Sequence, residues 1–277
     1  MLNWIKIDVK IDNATKRPPF FVGSMLRGAL GMSLKRVVCI NPSYRCEGCF
    51  AAKECLYHKF YEEKNVFHAY RLGITVKPEN FDFSLYLFEE ETKSLPYMLS
   101  AIKKMVEEQG FGKEQQTFRL KEIVANGQIV YDGRTFLSLE HIVPQRLKIE
   151  RYTPAVELEF TMPLRIKENN VFAREGVQLH TLIGNIRSRY MQLKGEPRSR
   201  MQERVEGDIT HQSLRFVEMQ RYSNRQKTGM RMGGLKGKMK IENLDENSYR
   251  YLKIGEIIGA GKQTVFGLGS YIMKELT

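Results

Sequence analysis

The chain has 277 residues, of which 42% are hydrophobic and 27% charged, a composition typical of a globular protein with a buried core. Lys and Arg total 44 against 32 Asp and Glu, so the formal net charge is +12, which favours a polyanionic partner. The sequence has no apolar run of about 18 residues, which argues against a membrane-spanning helix, and its alternating start is unlike a signal peptide. We therefore expect a cytoplasmic protein.

The first half of the chain alternates between strand-like and helix-like patterns. Apolar residues at every second position from Ile5 to Ile11 predict a strand, and apolar residues at helical spacing from Met25 to Val38 predict a helix. The elements predicted after this helix are strands at 66–76 and 81–87, a helix at 95–106, and strands at 117–124 and 128–131. Their order begins β-α-β-β-α-β, as in ferredoxin-like domains.

All four cysteines lie between the first predicted helix and the strand that follows it. Cys39, Cys46, Cys49 and Cys55 have the spacing C-x6-C-x2-C-x5-C, and His58 follows shortly after. In a reducing compartment such a cluster indicates metal ligands or buried thiols rather than disulfides. Four thiolates, or three with His58, predict a structural zinc site; an iron–sulfur cluster and plain thiols are the alternatives.

The second half shows the same order more clearly. Alternation from Val156 to Met162 predicts a strand, and apolar residues at helical spacing within 174–194 predict a helix with Arg187 and Arg189 on its other faces. The elements predicted after it are a basic loop at 195–212, strands at 213–222 and 235–241, a helix at 247–258 and a strand at 265–273.

A basic stretch near 141–151, bracketed by prolines, marks the predicted join between the halves. We therefore predict an α+β protein with two tandem ferredoxin-like (β-α-β-β-α-β) domains. The first covers 1–145 and carries a cysteine-containing insert at 39–60. The second covers 146–277 and carries a glycine-rich loop.

The segment from Arg221 to Tyr271 has the composition of an anion-binding surface. It opens with RYSNRQ, runs through GMRMGGLKGKMK and closes with GAGKQTVFGLGSY. Glycine permits close backbone approach and positive φ, so amide groups can point at phosphate oxygens; a strained turn is the alternative interpretation. A nucleotide P-loop is excluded, because Glu256 takes its first glycine position and Gln263 its Ser/Thr position.

These residues resemble the glycine-rich C-terminal loop of the CRISPR-associated repeat-RNA endoribonucleases, which belong to the RAMP superfamily. A second similarity lies at Phe21–Lys35, FVGSMLRGALGMSLK, just before the cysteine-containing insert. The resemblance implies two ferredoxin-like domains and a CRISPR repeat RNA or precursor transcript as partner, with subunits of a CRISPR effector complex as further candidates. The family loop often carries His where this chain has Gly259, so a loop histidine is not the catalyst here.

The predicted RNA path follows the loop and the basic strands before it. The residues expected to line it are Arg221, Arg225, Arg231, Lys236, Lys238, Gly259, Gly261, Gly267 and Gly269. We expect the cations among them to contact phosphates.

The resemblance also implies cleavage without a metal or other cofactor. A base takes the proton of a ribose 2′-hydroxyl, which attacks the adjacent phosphorus, while a cation stabilises the charged phosphorane. An acid protonates the leaving 5′-oxygen, and the products are a 2′,3′-cyclic phosphate and a 5′-hydroxyl. His211 is the predicted proton carrier because it ends an arginine-rich loop, where a cationic setting favours the neutral imidazole. Tyr222 is predicted to orient or donate a proton, and Lys262 to stabilise the charge on phosphorus.

Other interpretations remain open. A non-catalytic RAMP subunit that binds guide RNA in an effector complex has the same fold, charge and loop. A catalytic histidine in the N-terminal half, His58 or His68, is an alternative to His211. A zinc-stabilised protein-interaction module explains the cysteines but not the basic, glycine-rich second half.

Overall fold

The computed structural model describes residues 1–12, 17–112, 114–197, 204–223 and 228–276, and of residues 221–223 it describes only the backbone. The chain divides into two compact units: one contains residues 3–146, and the other contains 147–277 with the first two residues. Each unit is an α+β arrangement with one main sheet. Among the described residues, no helix is both long and apolar enough to cross a membrane.

The N-terminal unit is built on the central strand β1 (Asn3–Asp12), whose alternate residues are buried. After it come α1 (Gly23–Val38), β2 (Tyr70–Gly73), β3 (Phe83–Phe88), α2 (Leu95–Lys103), β4 (Arg119–Ala125), β5 (Gln128–Tyr131) and β6 (Gln145–Arg146). A π-helical turn at His58–Glu62 precedes β2, a 3-10 helix at Glu89–Ser94 precedes α2, and a π-helical turn at Lys104–Gln109 follows it. The sheet is antiparallel with the order β2-β3-β1-β4-β5, and β6 pairs with β1.

The core of this unit follows from the two periodicities of its sequence. The buried residues of β1 are Ile5, Ile7, Val9 and Ile11. Leu26, Leu30 and Leu34 recur every fourth residue of α1, are at most 1% exposed, and lie on a helix that contacts α2. Burial of each such side chain contributes about 1.5–3 kcal/mol, so these apolar stripes fix how the helices and sheet pack.

The C-terminal unit is a four-stranded antiparallel sheet with two helices. Its elements are β7 (Val156–Leu164), β8 (Lys167–Glu168), β9 (Val171–Phe172), α3 (Leu179–Leu193), β10 (Asp208–Val217), β11 (Gln220–Ser223), β12 (Thr228–Arg231), β13 (Gly234–Glu242), α4 (Glu246–Ile258) and β14 (Tyr271–Glu275). The order in the main sheet is β10-β13-β7-β14. The pairs β8–β9 and β11–β12 are separate hairpins, and α3 contacts α4.

The predicted strand at 213–222 is two strands in the structure. β10 begins at Asp208, inside the predicted basic loop, and pairs with β13 until Val217 meets Gly234. β11 then begins at Gln220 and forms a hairpin with β12. The first half of β10 has polar residues on its exposed face. Its sequence therefore lacks a clear apolar alternation and predicts a loop.

Two other predicted strands are shorter in the structure. Of the strand predicted at 66–76, only β2 is a strand in the structure. The last, predicted at 265–273, begins only at Tyr271, because Gly267 and Gly269 have φ values of 88° and 70° and a 3-10 turn covers Thr264–Phe266. Positive φ is incompatible with a regular strand, so β14 can begin only after these glycines.

Candidate nucleic-acid interface

The glycine-rich loop between α4 and β14 folds back on the C-terminal unit. Gly259, Gly261, Gly267 and Gly269 are buried and have φ values of 77°, 77°, 88° and 70°, a left-handed region that favours glycine. A Cβ atom on Gly269 would lie 1.7 Å from the carbonyl oxygen of Ala260. The packing of the loop against its own backbone therefore requires glycine.

The amide groups of these four glycines donate hydrogen bonds inside the protein. In chain order, their acceptors are Gly255 O, Asn185 Oδ1, Thr264 O and Pro163 O, at 2.8, 2.6, 2.8 and 3.0 Å. The structure thus contradicts the prediction that these glycines line the RNA path with their amides. It agrees with the alternative interpretation, a strained turn whose glycines serve geometry.

Two residues one turn apart on α3 hold the loop in place. Asn185 accepts the amide of Gly261, while Arg189 Nη2 donates to the carbonyl oxygen of Gly261 at 2.7 Å and Nη1 donates to Thr264 Oγ1. Arg187 and Arg189 are 7% and 4% exposed, so the prediction that they lie on the outer faces of the helix is wrong. Helical periodicity could not reveal this, because the polar loop that receives Arg189 is more than 70 residues away in the sequence.

Lys262 is the exposed cation of the loop. Its amide donates to the carbonyl oxygen of Arg165 at 2.6 Å, which ties the loop to the end of β7. Arg165 in turn donates to the carbonyl oxygen of Gly233 at 2.9 Å and lies 3.7 Å above the ring of Phe172. Burial lowers the pKa of Arg165, and the charge of Glu218 opposes that shift. Lys262 therefore lies on a loop that hydrogen bonds connect, through Arg165, to the residue before β13.

The β11–β12 hairpin begins at this same end of the sheet, where Met232 N–H donates to Met219 O at 2.7 Å. In its backbone register Arg221 pairs with Met230 and Tyr222 pairs with Gly229. Of the predicted RNA contacts on this hairpin, Arg231 is exposed, and Arg225 lies outside the described residues.

The solvent-facing side of the main sheet carries a network of ion pairs. Lys238 Nζ lies 3.0 Å from Glu157 and 3.6 Å from Glu159, and Lys274 lies 3.2 Å from Glu159. The hydrogen bond from Lys274 and the charges of both lysines lower the pKa of Glu159, and the hydrogen bond to Glu157 raises the pKa of Lys238. Lys238, predicted to contact RNA, is thus already engaged by two carboxylates.

Two neighbouring strands of this face, β10 and β13, carry further basic side chains. Arg215 on β10 is opposite Lys236 on β13, and His211 is opposite Lys240. Within the ranges that the structure describes, none of these four side chains has an ion-pair partner. Arg215 and Lys240 were missed from sequence, although the alternation of Lys236, Lys238 and Lys240 places all three on one face.

The structure does not bring the three predicted catalytic residues together. His211 lies in the row of the sheet that contains Lys240 and Glu157 at the start of β7. The Lys262 amide donates to Arg165, which follows Leu164. Leu164 is opposite Leu235, five residues along β13 from Lys240, or roughly 17 Å at about 3.3 Å per residue. The hairpin with Tyr222 begins at the same end as Lys262. His211 and the backbone of Lys262 therefore lie at opposite ends of this sheet.

The four cysteines are free and half-exposed. Cys49 N–H donates to Cys46 O at 3.2 Å, so these two share one turn. In the described part of the chain, no three His, Cys, Asp or Glu side chains are grouped as a metal site. The structure therefore does not gather the predicted ligands around a common point. His58, the fifth predicted candidate, is half-buried at the start of its π-helical turn.

Comparison with protein families gives one match for each half of the chain. A model described as the AF_1859_N N-terminal domain matches residues 2–145, slightly more than half of the chain. A model described as CRISPR-associated endoribonuclease Cas6 matches residues 158–271, which contain the main sheet and the glycine-rich loop.

Individual relatives are distant. An uncharacterised protein of Archaeoglobus fulgidus is 26% identical over 280 aligned positions, which cover 91% of each chain. Among solved structures, a Cas6 product complex has a TM-score of 0.61 at 13% identity and covers 99% of both chains. A RAMP protein that binds different RNA substrates has a TM-score of 0.54 at 12% identity, covering 99% of this chain and all of its own. At such identities the solved structures show the likeness of fold alone.

Proposed function

The chain belongs to the AF_1859_N N-terminal domain family, and from this premise and the similarity of residues 158–271 to CRISPR-associated endoribonuclease Cas6 we propose that it is a Cas6-like RAMP endoribonuclease, which binds CRISPR repeat RNA and cleaves the precursor transcript. We further propose that both units are ferredoxin-like domains. In support, the main elements of each follow the order β-α-β-β-α-β, and each sheet has its first strand between its third and fourth. A CRISPR effector complex is a second candidate setting for the same RNA-binding surface.

One observation carries the RNA-binding proposal: the edge of the C-terminal sheet carries cations that form no ion pair with a described carboxylate. Arg215 and Lys236 form one cross-strand pair, and His211 and Lys240 form another four residues away along β10, roughly 13 Å at about 3.3 Å per residue. An RNA backbone that neutralises such cations releases its counterions, which favours binding. The ion-paired Lys238 between them contributes less, because RNA would have to displace its carboxylates.

For the cleavage step we propose His211 with Lys240 rather than with Lys262. The side chains of a directly opposed antiparallel pair begin about 4.5–5.5 Å apart, so an imidazole base and a cation can reach one phosphodiester. His211 takes the proton of the 2′-hydroxyl as its oxygen bonds to phosphorus, and Lys240 stabilises the negative charge that develops on the phosphorane. As the bond between phosphorus and the 5′-oxygen breaks, the ammonium group of Lys240 donates a proton to that oxygen. Lys262, Tyr222 and Arg231 at the other end of the sheet are assigned to RNA binding.

The cleavage proposal is tested with a repeat-containing transcript in EDTA, under single-turnover conditions and with end-group analysis. We expect a 2′,3′-cyclic phosphate and a 5′-hydroxyl. His211→Ala should lower the rate by roughly 10²–10⁴ while RNA affinity is retained, since one proton carrier contributes about that factor. His180→Ala is the matched control, because His180 is an exposed histidine of the same unit on α3 and should change nothing.

Other results identify other sites. If His58→Ala or His68→Ala abolishes cleavage and His211→Ala does not, the active site belongs to the N-terminal unit. If RNA binds tightly but is never cut, the protein is a non-catalytic RAMP subunit.

The RNA-binding surface is tested with 2′-O-methyl repeat RNA, which lacks the attacking hydroxyl. Arg215→Ala/Lys240→Ala should weaken binding and lower the slope of log affinity against log salt by about 1.4, at about 0.7 per lost phosphate contact on a single strand. Lys93→Ala/Lys104→Ala removes the same net charge from lysines already paired with glutamates, and should leave the slope unchanged. Equal slopes for the two double variants would place the RNA path elsewhere.

A further inference from the structure

The segment between α1 and the π-helical turn at His58–Glu62 has little structure of its own. Residues 40–54 contain no helix or strand. Each hydrogen bond found in this segment joins residues at most four positions apart, such as Tyr44 N–H to Asn41 O and Ala52 N–H to Cys49 O. Among the described residues, nothing in 40–54 makes a long-range hydrogen bond, ion pair or ring contact. Structureless segments of this length in a compact unit are uncommon unless they hold a ligand or are disordered.

Large apolar side chains in this segment are exposed. Ile40 is 70%, Tyr44 49% and Phe50 76% exposed. Apolar contacts within the segment therefore do not hold it in place. A segment that cannot bury its own apolar residues gains order only from a cross-link or a bound ligand.

Both ends of the segment are nevertheless anchored. Cys39 directly follows α1, and its amide donates to Lys35 O at 2.9 Å. Cys55 directly precedes the buried Leu56, and its carbonyl accepts the amide of Lys59 at 3.0 Å. Lys35 Nζ lies 4.9 Å from the ring centroid of Tyr57, so the last turn of α1 contacts the chain just after Cys55.

The middle cysteines have the geometry of a chelating turn. Cys46 and Cys49 flank Glu47 and Gly48, Gly48 has a φ of 67°, and the Cys49 amide returns to Cys46 O. Short C-x2-C spacing is common among the ligands of tetrahedral structural zinc. The segment thus has two cysteines in one backbone turn and one cysteine at each anchored end.

The local charge favours a thiolate cluster. Zinc with four thiolates carries a net charge of −2. Residues 35–55 contain four cations, Lys35, Arg36, Arg45 and Lys53, and two carboxylates, Glu47 and Glu54, so their formal sum is +4 − 2 = +2. This balance offsets the charge of the closed site.

We propose that Cys39, Cys46, Cys49 and Cys55 close around one zinc ion and that the closed site orders residues 39–55. With Zn–S bonds of about 2.3 Å, the four sulfur atoms come within about 3.8 Å of one another. The half-exposed thiols and the local hydrogen bonding leave this segment free to make that movement. Four thiolates leave no open coordination position, so the ion is structural and takes no part in RNA cleavage.

The test uses the full chain purified without chelator. We expect about one equivalent of zinc by elemental analysis, and cobalt exchange should produce the intense near-ultraviolet thiolate-to-cobalt band of a tetrahedral site. With zinc bound, all four thiols should resist a thiol reagent and trypsin should spare Arg45 and Lys53; a strong chelator should expose both. Cys46→Ser/Cys49→Ser should lose the metal and become trypsin-sensitive while the far-ultraviolet circular dichroism of the rest is kept.

His58→Ala is the matched control, and it should keep its zinc if the ligands are four cysteines. Loss of zinc in this variant would overturn the four-cysteine assignment in favour of three cysteines and His58. Iron and sulfide in the purified protein would overturn the assignment to a single zinc ion. Protein that neither contains nor takes up zinc, with four reactive thiols and unchanged proteolysis after chelation, would overturn the site as a whole. That last readout uses wild-type protein, so it does not depend on the folding of any variant.

Discussion

Two loops of this protein give the same indication from sequence and differ in structure. The glycine-rich loop 259–269 and the cysteine-rich segment 39–55 both have compositions that indicate a bound ligand. In the first, every glycine amide donates to the protein, and α3 clamps the loop from outside. In the second, the hydrogen bonds between 40 and 54 are all local. The glycine amides of the first loop are paired within the protein, whereas for the second loop we propose an ordering zinc ion.

The difference shows what a glycine-rich pattern can and cannot indicate. Glycine allows close approach of the backbone, but the sequence does not say whether the approaching group is a ligand or another part of the chain. In the loop 259–269 the approaching groups are protein atoms, such as Ala260 O beside Gly269. In the proposed function, the group of this loop that contacts RNA is therefore the exposed Lys262 side chain rather than the glycine amides.

The largest effect is expected from Gly269→Ala. The new Cβ would meet Ala260 O at a position with a φ of 70°, so both a steric clash and left-handed strain oppose it. We expect roughly 3–5 kcal/mol loss of stability of the C-terminal unit in denaturant unfolding. Gly229→Ala is the matched control, because a Cβ there has no atom within 4 Å, and it should stay within about 0.5 kcal/mol of wild type. Similar stabilities for the two variants would show that the loop is not fixed as described.

A smaller effect is expected from Asn185→Ala. This change removes the acceptor for the buried Gly261 amide and should cost about 1–3 kcal/mol in the same unfolding measurement. Asn185→Asp keeps an oxygen in the same place and should recover most of that loss. If both variants behave like wild type, α3 does not clamp the loop.

The smallest effect is expected in the cysteine-rich segment. Phe50→Ser in chelated protein should change the free energy of unfolding by no more than about 0.5 kcal/mol, because Phe50 is 76% exposed. Phe60→Ser, a few residues away at 1% exposure, should cost about 3–5 kcal/mol. A large loss for Phe50→Ser without metal would mean that the segment has a core of its own.

Sequence alone predicted most elements and the α+β class, because apolar residues recur at every second position in β1 and β7 and every fourth in α1 and α3. It misplaced element ends where backbone geometry decides, as at Gly267 and Gly269 before β14. The sequence also could not show which of the three lysines of β13 is ion-paired. Their alternation shows that they share a face, but only the side-chain distances show that Lys238 forms ion pairs with Glu157 and Glu159.

The position of β10 at the edge of its sheet has a consequence for how copies of the protein meet. Ten residues of exposed edge would template strand pairing between molecules, which is a route to aggregation. Two features oppose this. The register shift between Ile209 and His211 breaks the regular row of backbone groups, and Arg215 with its neighbours on β13 makes two such edges repel each other. The charges proposed to attract RNA therefore also keep the protein from associating with itself, and their removal should lower its solubility as well as its affinity.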